Sequence, residues 1–176
     1  MTLTDRLIAP GATRAEVTLG FSVAIGGAAG AAALAIRADH PWPVVAVIAV
    51  LAFDLFGGSV VNAMGSAKRW YHRPGRTAVH HLGFVAIHIQ PFLLAWVVPA
   101  FSWSAAVTIY VLALTGALIV STSPAPLRRP VAFAVTAFAL LWVTGVLAVP
   151  AEVAWFAPVL LIKLLLAHLL PEEASR

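Results

Sequence analysis

Six apolar runs, each about 20 residues long, constrain this chain more than any other feature. A bilayer core of ~30 Å is crossed by about 20 helical residues rising ~1.5 Å each. The runs therefore read as membrane spans, at about 17–36, 43–64, 82–101, 104–121, 130–149 and 152–170. Pro43 and Pro130 open the second and fifth, where a missing N–H costs no hydrogen bond, and Pro171 stops the last. Stretches such as AVIAVLAF and LLIKLLLAHLL do not alternate apolar and polar residues. That excludes the ~10-residue strands of a membrane β-barrel. The expected fold is all-α: one polytopic membrane domain, a six-transmembrane-helix bundle over 1–176.

Composition agrees. The chain is 61% hydrophobic and 10% charged, against ~45–50% and ~25% in soluble domains. With no cysteine, disulfides, thiolate metal sites and cysteine nucleophiles are excluded. Residues 1–16 are mixed polar with a Pro10-Gly11 break, and the first apolar run opens only at Val17. It reads as a retained span and not as a signal peptide.

The bases set orientation. Arg6, Arg14, Lys68, Arg69, Arg73, Arg76, Arg128, Arg129 and Arg176 fall on one side of a six-span arrangement, and Arg37 alone on the other. This positive-inside asymmetry places both termini in the cytoplasm and the chain in the cell (inner) membrane. No dense basic cluster suits nucleic acid. Trp42, Trp96, Trp103 and Trp155 mark the outer interface and Trp70 the inner one. Trp142 falls between and either packs inside the bundle or faces lipid. Gly26 and Gly30 form a small-xxx-small pair, expected to pack tightly inside the bundle or, as the sharper reading, to make a homo-oligomer interface. No internal repeat of the kind that builds transporters is visible.

Ionisable groups in hydrocarbon are costly, so each is a functional hypothesis. Asp54, His88 and Lys163 are the clear cases. From the rise per residue they lie roughly 15, 9 and 10 Å from the cytoplasmic face. Three positions on three helices thus converge on one half of the bilayer. Asn62, His80, His81 and His168 lie near the interface, with Tyr71 and His72 in the basic segment KRWYHRPGR. His81 and His88 share a helix face with Phe84 between them, while His80 points elsewhere. Pro91 frees the carbonyl of Ile87, so a kink or a spare acceptor is expected beside His88. Gly57 and Gly58 leave room beside Asp54 for a helix or a ligand.

These residues admit several chemistries. Asp54 and Lys163 could simply neutralise each other, the interfacial histidines could be solvated, and the basic segment could be only a topological anchor. As a site, Asp54, His88, Lys163 and His81 supply acid–base groups. Asn62, Tyr71, His72, Arg73 and Arg76 would hold a substrate, the bases suiting a phosphate headgroup. A polar pocket opening to one leaflet suits an enzyme that modifies a lipid or another hydrophobic molecule. A small proton-coupled transporter and a structural or accessory protein are the alternatives. A metal could take His72, His81, His88 and Asp54, but His81 and His88 stand ~10.5 Å apart along one helix axis. Bis-histidine haem would need His88 facing His168 or His81. No cofactor is identified. Membrane lipids and a hydrophobic small molecule are the expected partners. The histidine boxes of membrane desaturases and the aspartate motifs of prenyltransferases and CDP-alcohol phosphotransferases are absent.

Overall fold

A computed structural model of the chain describes residues 8–171, all of its regular structure helical. Six of its helical segments are long and apolar enough to cross a membrane, which makes this a multi-pass membrane protein. Arg6 and Arg176 lie outside the described residues.

The first span, α1 (Arg14–Arg37), starts earlier than its apolar run because a capping box extends it. The Thr13 hydroxyl accepts from the Glu16 N–H at 3.2 Å, and the Glu16 carboxylate accepts from the Thr13 N–H at 2.8 Å. Glu16 also accepts from the Ser66 hydroxyl at 3.0 Å, tying the start of α1 to the segment after span two. Span two is α2 (Trp42–Val61), with Pro43 in its first turn.

These two spans pack through glycine. A Cβ on Gly20 would meet Val61, one on Gly27 would meet Phe56 at 2.5 Å, and one on Gly57 would meet Ala24 at 2.8 Å. Small residues let the backbones approach this closely. Gly26 and Gly30, by contrast, are exposed and a Cβ on either meets nothing. The tight packing expected of that pair inside the bundle is done by Gly20 and Gly27, on another face of the same helix.

A short helix, α3 (Gly65–Tyr71), carries Lys68, Trp70 and Tyr71. Span three is broken into α4 (Ala78–Ala86) and α5 (Gln90–Val97), with Pro91 in the first turn of α5. The expected break is therefore present, but its carbonyls are satisfied differently. Ile87 O accepts from the Ile89 N–H at 2.9 Å. Ala86 O accepts from the Tyr110 hydroxyl, on span four, at 2.8 Å.

Span four is α6 (Trp103–Thr122) and span five is α7 (Ala125–Gly145). Pro130 does not open span five, as its sequence position suggested, but lies inside α7. Pro126 takes the opening role, and Pro130, one turn further in, leaves the Pro126 carbonyl without the N–H a helix would give it. Trp42, Trp96, Trp103 and Trp142 all present exposed rings, so Trp142 faces outward.

Span six comprises a 3-10 turn (Ala151–Val153), α8 (Phe156–Leu161) and a π-helical segment (Ile162–His168). It is the central helix, with Leu160, Leu161, Leu164 and Leu165 fully buried. The bundle end away from the basic loops is filled by Ile48, Val98, Phe101 and Phe156, also fully buried. His40, after α1, pairs with Glu152 at 2.9 Å across that end.

Candidate functional site

Asp54, His88 and Lys163, placed on three helices by depth alone, line one pocket of about 320 Å3 together with Asn62, Tyr71, Phe84 and Gln90. Lys163 Nζ donates to Asp54 Oδ2 at 2.7 Å and to the Asp54 carbonyl oxygen at 3.3 Å. Gln90 Nε2 adds a third hydrogen bond, to Asp54 Oδ2 at 3.2 Å. The ion pair is lopsided: the Lys163 side chain is 3% exposed and that of Asp54 49%. Asp54 thus opens onto the flank of the bundle, near the middle of α2, while its partner lies within.

The two adjacent glycines have separate tasks. Gly57 admits α1, through Ala24. Gly58 admits Lys163, whose Cε would stand 2.5 Å from a Cβ there. Along the other side of Asp54 runs an apolar groove of about 250 Å3 between α1 and α2, lined by Gly20, Phe21, Ala24 and Phe53. Groove and pocket share Asp54, Gly58 and Val61 as a common rim.

His88 is buried, and its Nδ1 donates to the Phe84 carbonyl at 2.6 Å. A carbonyl only accepts, so Nδ1 carries a proton, and in the neutral ring Nε2 is left with a bare lone pair. Asn62, the C-cap of α2, is 4% exposed and its Nδ2 has no partner; Gln90 Oε1 is likewise buried and unpartnered.

His81, expected beside His88, belongs to a second cluster beyond Phe84. Its Nδ1 is 3.2 Å from His168 Nε2, and its ring stacks on His72 with centroids 4.5 Å apart. His72 Nε2 donates to the His168 carbonyl at 2.9 Å. His168 is 2% exposed and stacks on Phe84 at 3.9 Å, with Tyr71 edge-on at 5.2 Å. Burial holds the His72 imidazole below the usual histidine range, Lys68 and Arg128 adding to this and the His168 carbonyl opposing it. Burial pushes the Tyr71 phenol up, so it stays protonated.

Reading His168 as a solvated interfacial residue missed its position. Lys163 and His168 are five residues apart, which on an α-helix leaves them ~140° apart in phase. A π-helix closes i→i+5 bonds and brings such a pair onto one side. Both residues accordingly meet the Tyr71–Phe84 wall. Gln90 was also missed. Its signal was available: it is the one side-chain amide in the apolar run after His88.

Of the basic segment, Tyr71 lines the pocket and the bases do not. Arg73 lies over the Trp70 ring at 3.7 Å and donates to the Trp70 carbonyl. Arg76 lines smaller cavities with His72, His80 and His81, outside the wall formed by Tyr71 and Phe84. Lys68 is buried and donates to the Ala167 and Leu170 carbonyls, holding the end of span six. Among the described residues no three His, Asp or Glu side chains are arranged to hold a metal ion. His72 and His81 stand on one side of Phe84, with Asp54 and His88 on the other. The Phe84 ring lies against both His88 and His168, at 4.7 and 3.9 Å, so His88 does not face His168 across an open gap.

Comparison with protein-family models, with curated proteins and with solved structures finds no match to this chain. The geometry of the site is the ground on which a function can be argued.

Proposed function

We propose that this protein is an enzyme that takes an amphiphile from the bilayer and modifies its polar end by acid–base chemistry, on the cytoplasmic side of the cell membrane. The observation that carries this reading is the shared rim: an apolar groove and a polar pocket meet at Asp54, Gly58 and Val61. A molecule with a hydrocarbon tail and a polar head matches that pair of surfaces. The unprotonated His88 nitrogen is the proton acceptor in this reading. Lys163 holds the Asp54 carboxylate in place beside it, at 2.7 Å.

A transporter would need a polar route through both halves of the membrane. The buried shell of Ile48, Val98, Phe101 and Phe156 beyond the pocket argues against one. The nine-to-one distribution of bases supports cytoplasmic termini and hence a pocket on the cytoplasmic side.

The test is native mass spectrometry of protein extracted gently in its own lipid. A specific amphiphile should co-purify, and should be lost from the Asp54→Asn and His88→Gln variants. Recovery of bulk lipid only, unchanged in both variants, counts against the reading. Proton flux in liposomes that disappears with Asp54→Asn would replace the enzyme by the transporter.

A further inference from the structure

We infer that the head group taken by the pocket is uncharged and bears a hydroxyl beside a second oxygen, and is not a phosphate or another ion. The inference rests on the amphiphile-binding reading above and names its substrate class.

It starts from hydrogen-bonding capacity that the fold leaves unspent. Asn62 is more than nine-tenths buried, lines the pocket, and has a donor, Nδ2, with no acceptor. Buried polar groups without partners are rare in folded proteins, and each calls for an explanation. Gln90 has committed its Nε2 to Asp54, which leaves the buried Oε1 as an acceptor without a donor. His88 has committed Nδ1 to the Phe84 carbonyl, which leaves Nε2 as a second acceptor. One buried donor and one buried acceptor therefore stand without partners beside a space that the His88 ring and the Tyr71 hydroxyl also line. A hydroxyl can serve either acceptor, and a carbonyl or second hydroxyl can take the Asn62 proton.

Charge points the same way. Asp54 and Lys163 are the only ionic residues that line the pocket among those described, and they neutralise each other at 2.7 Å. An anionic head would stand beside the Asp54 carboxylate with no unspent cation to meet it. A cationic head would meet Lys163 in the same way. Beside an already balanced ion pair a further unpaired charge is disfavoured. The arginines that could have met a phosphate are elsewhere: Arg73 is stacked on Trp70, and Arg76 lies outside the Tyr71–Phe84 wall. The volume, about 320 Å3, is that of about ten water molecules at ~30 Å3 each, enough for a glycerol- or sugar-sized head.

The experiment uses two probes with the same oleoyl tail and glycerol ester. One is 1-monooleoylglycerol, with two free hydroxyls and an ester carbonyl. The other is oleoyl lysophosphatidic acid, which adds a phosphate. Each is titrated into the full-length protein in an uncharged detergent, and unfolding is followed by the fluorescence of the six tryptophans. The neutral probe should raise the unfolding midpoint saturably by several degrees, and the phosphate probe should not. The shift should vanish in Asn62→Asp, which keeps the side-chain volume but turns the donor into an acceptor, and in His88→Phe. Two variants guard against one that fails to fold. A saturable shift with the phosphate probe that also vanishes in Asn62→Asp would overturn the head-group class while leaving the amphiphile reading intact. A shift with neither probe would overturn the inference. The amphiphile reading then stands or falls by whether the extracted protein carries a bound amphiphile.

Discussion

Lys163 reaches Asp54 by crossing α2 at Gly58, where its Cε occupies space within 2.5 Å of where a Cβ would stand. A side chain at position 58 would displace the lysine from the path along which it holds the carboxylate at 2.7 Å. Gly58→Ala should leave the protein folded, because the far end of a lysine can swing away and alanine is the better helix former by ~1 kcal/mol. It should nevertheless abolish ligand binding, as Lys163→Met should. Gly57→Ala should do the reverse. Its Cβ would meet Ala24 at 2.8 Å, on a neighbouring helix that cannot swing, so the thermal midpoint falls while the ion pair survives. Thermal unfolding and ligand binding measured on both variants check this division.

Removing either member of the ion pair should not cost the same. Asp54→Asn strands a lysine that is 3% exposed, whereas Lys163→Met strands a carboxylate that is 49% exposed. Breaking a fully buried pair costs about 3–5 kcal/mol. Screening at the exposed carboxylate reduces the first change to about 2 kcal/mol, a fall of roughly 4–8 °C in a chain of this size. Lys163→Met should lower the midpoint less than half as far, and the double variant Asp54→Asn/Lys163→Met should be more stable than Asp54→Asn alone. Thermal unfolding of the three variants in one detergent gives the comparison.

Acid should loosen the basic end of the bundle. His72 is stacked on His81, donates to the His168 carbonyl, and faces Lys68 and Arg128. Its folded-state pKa lies below the unfolded value of about 6.5, so the unfolded chain binds the proton first. The neutral ring's contribution is complete above about pH 6.5 and is lost as the pH falls from there toward the folded value. The midpoint of the wild-type protein should drop between pH 7 and pH 5 by more than that of His72→Gln.

Tyr110→Phe should open the break in span three. The hydroxyl gives the Ala86 carbonyl the partner that a continuous helix would have supplied. Its loss should cost about 1–3 kcal/mol. Faster amide exchange confined to residues 86–90, with the rest of span three unchanged, is the expected signature.

Length and apolarity made the six spans legible, because a bilayer imposes both on any helix that crosses it. Depth made Asp54, His88 and Lys163 legible as one group, since the rise per residue is nearly the same in every helix. Angular position was harder to read. The phase of His168 followed from a π-helical stretch that no pattern in LLIKLLLAHLL announces. The placement of Arg73 was hidden for a different reason: closeness in sequence to Tyr71 suggested a shared pocket, but the ring of Trp70 drew the guanidinium away. Pro130 looked like a helix opener because the apolar run begins there, yet the helix needed only Pro126 to start one turn earlier.

The half-exposed Asp54 also has a consequence outside the protein. A carboxylate at mid-depth on the flank of α2 is incompatible with undisturbed hydrocarbon. The surrounding leaflet should therefore thin or admit water beside spans two and three. The protein should therefore travel with a dimple in the membrane at that point.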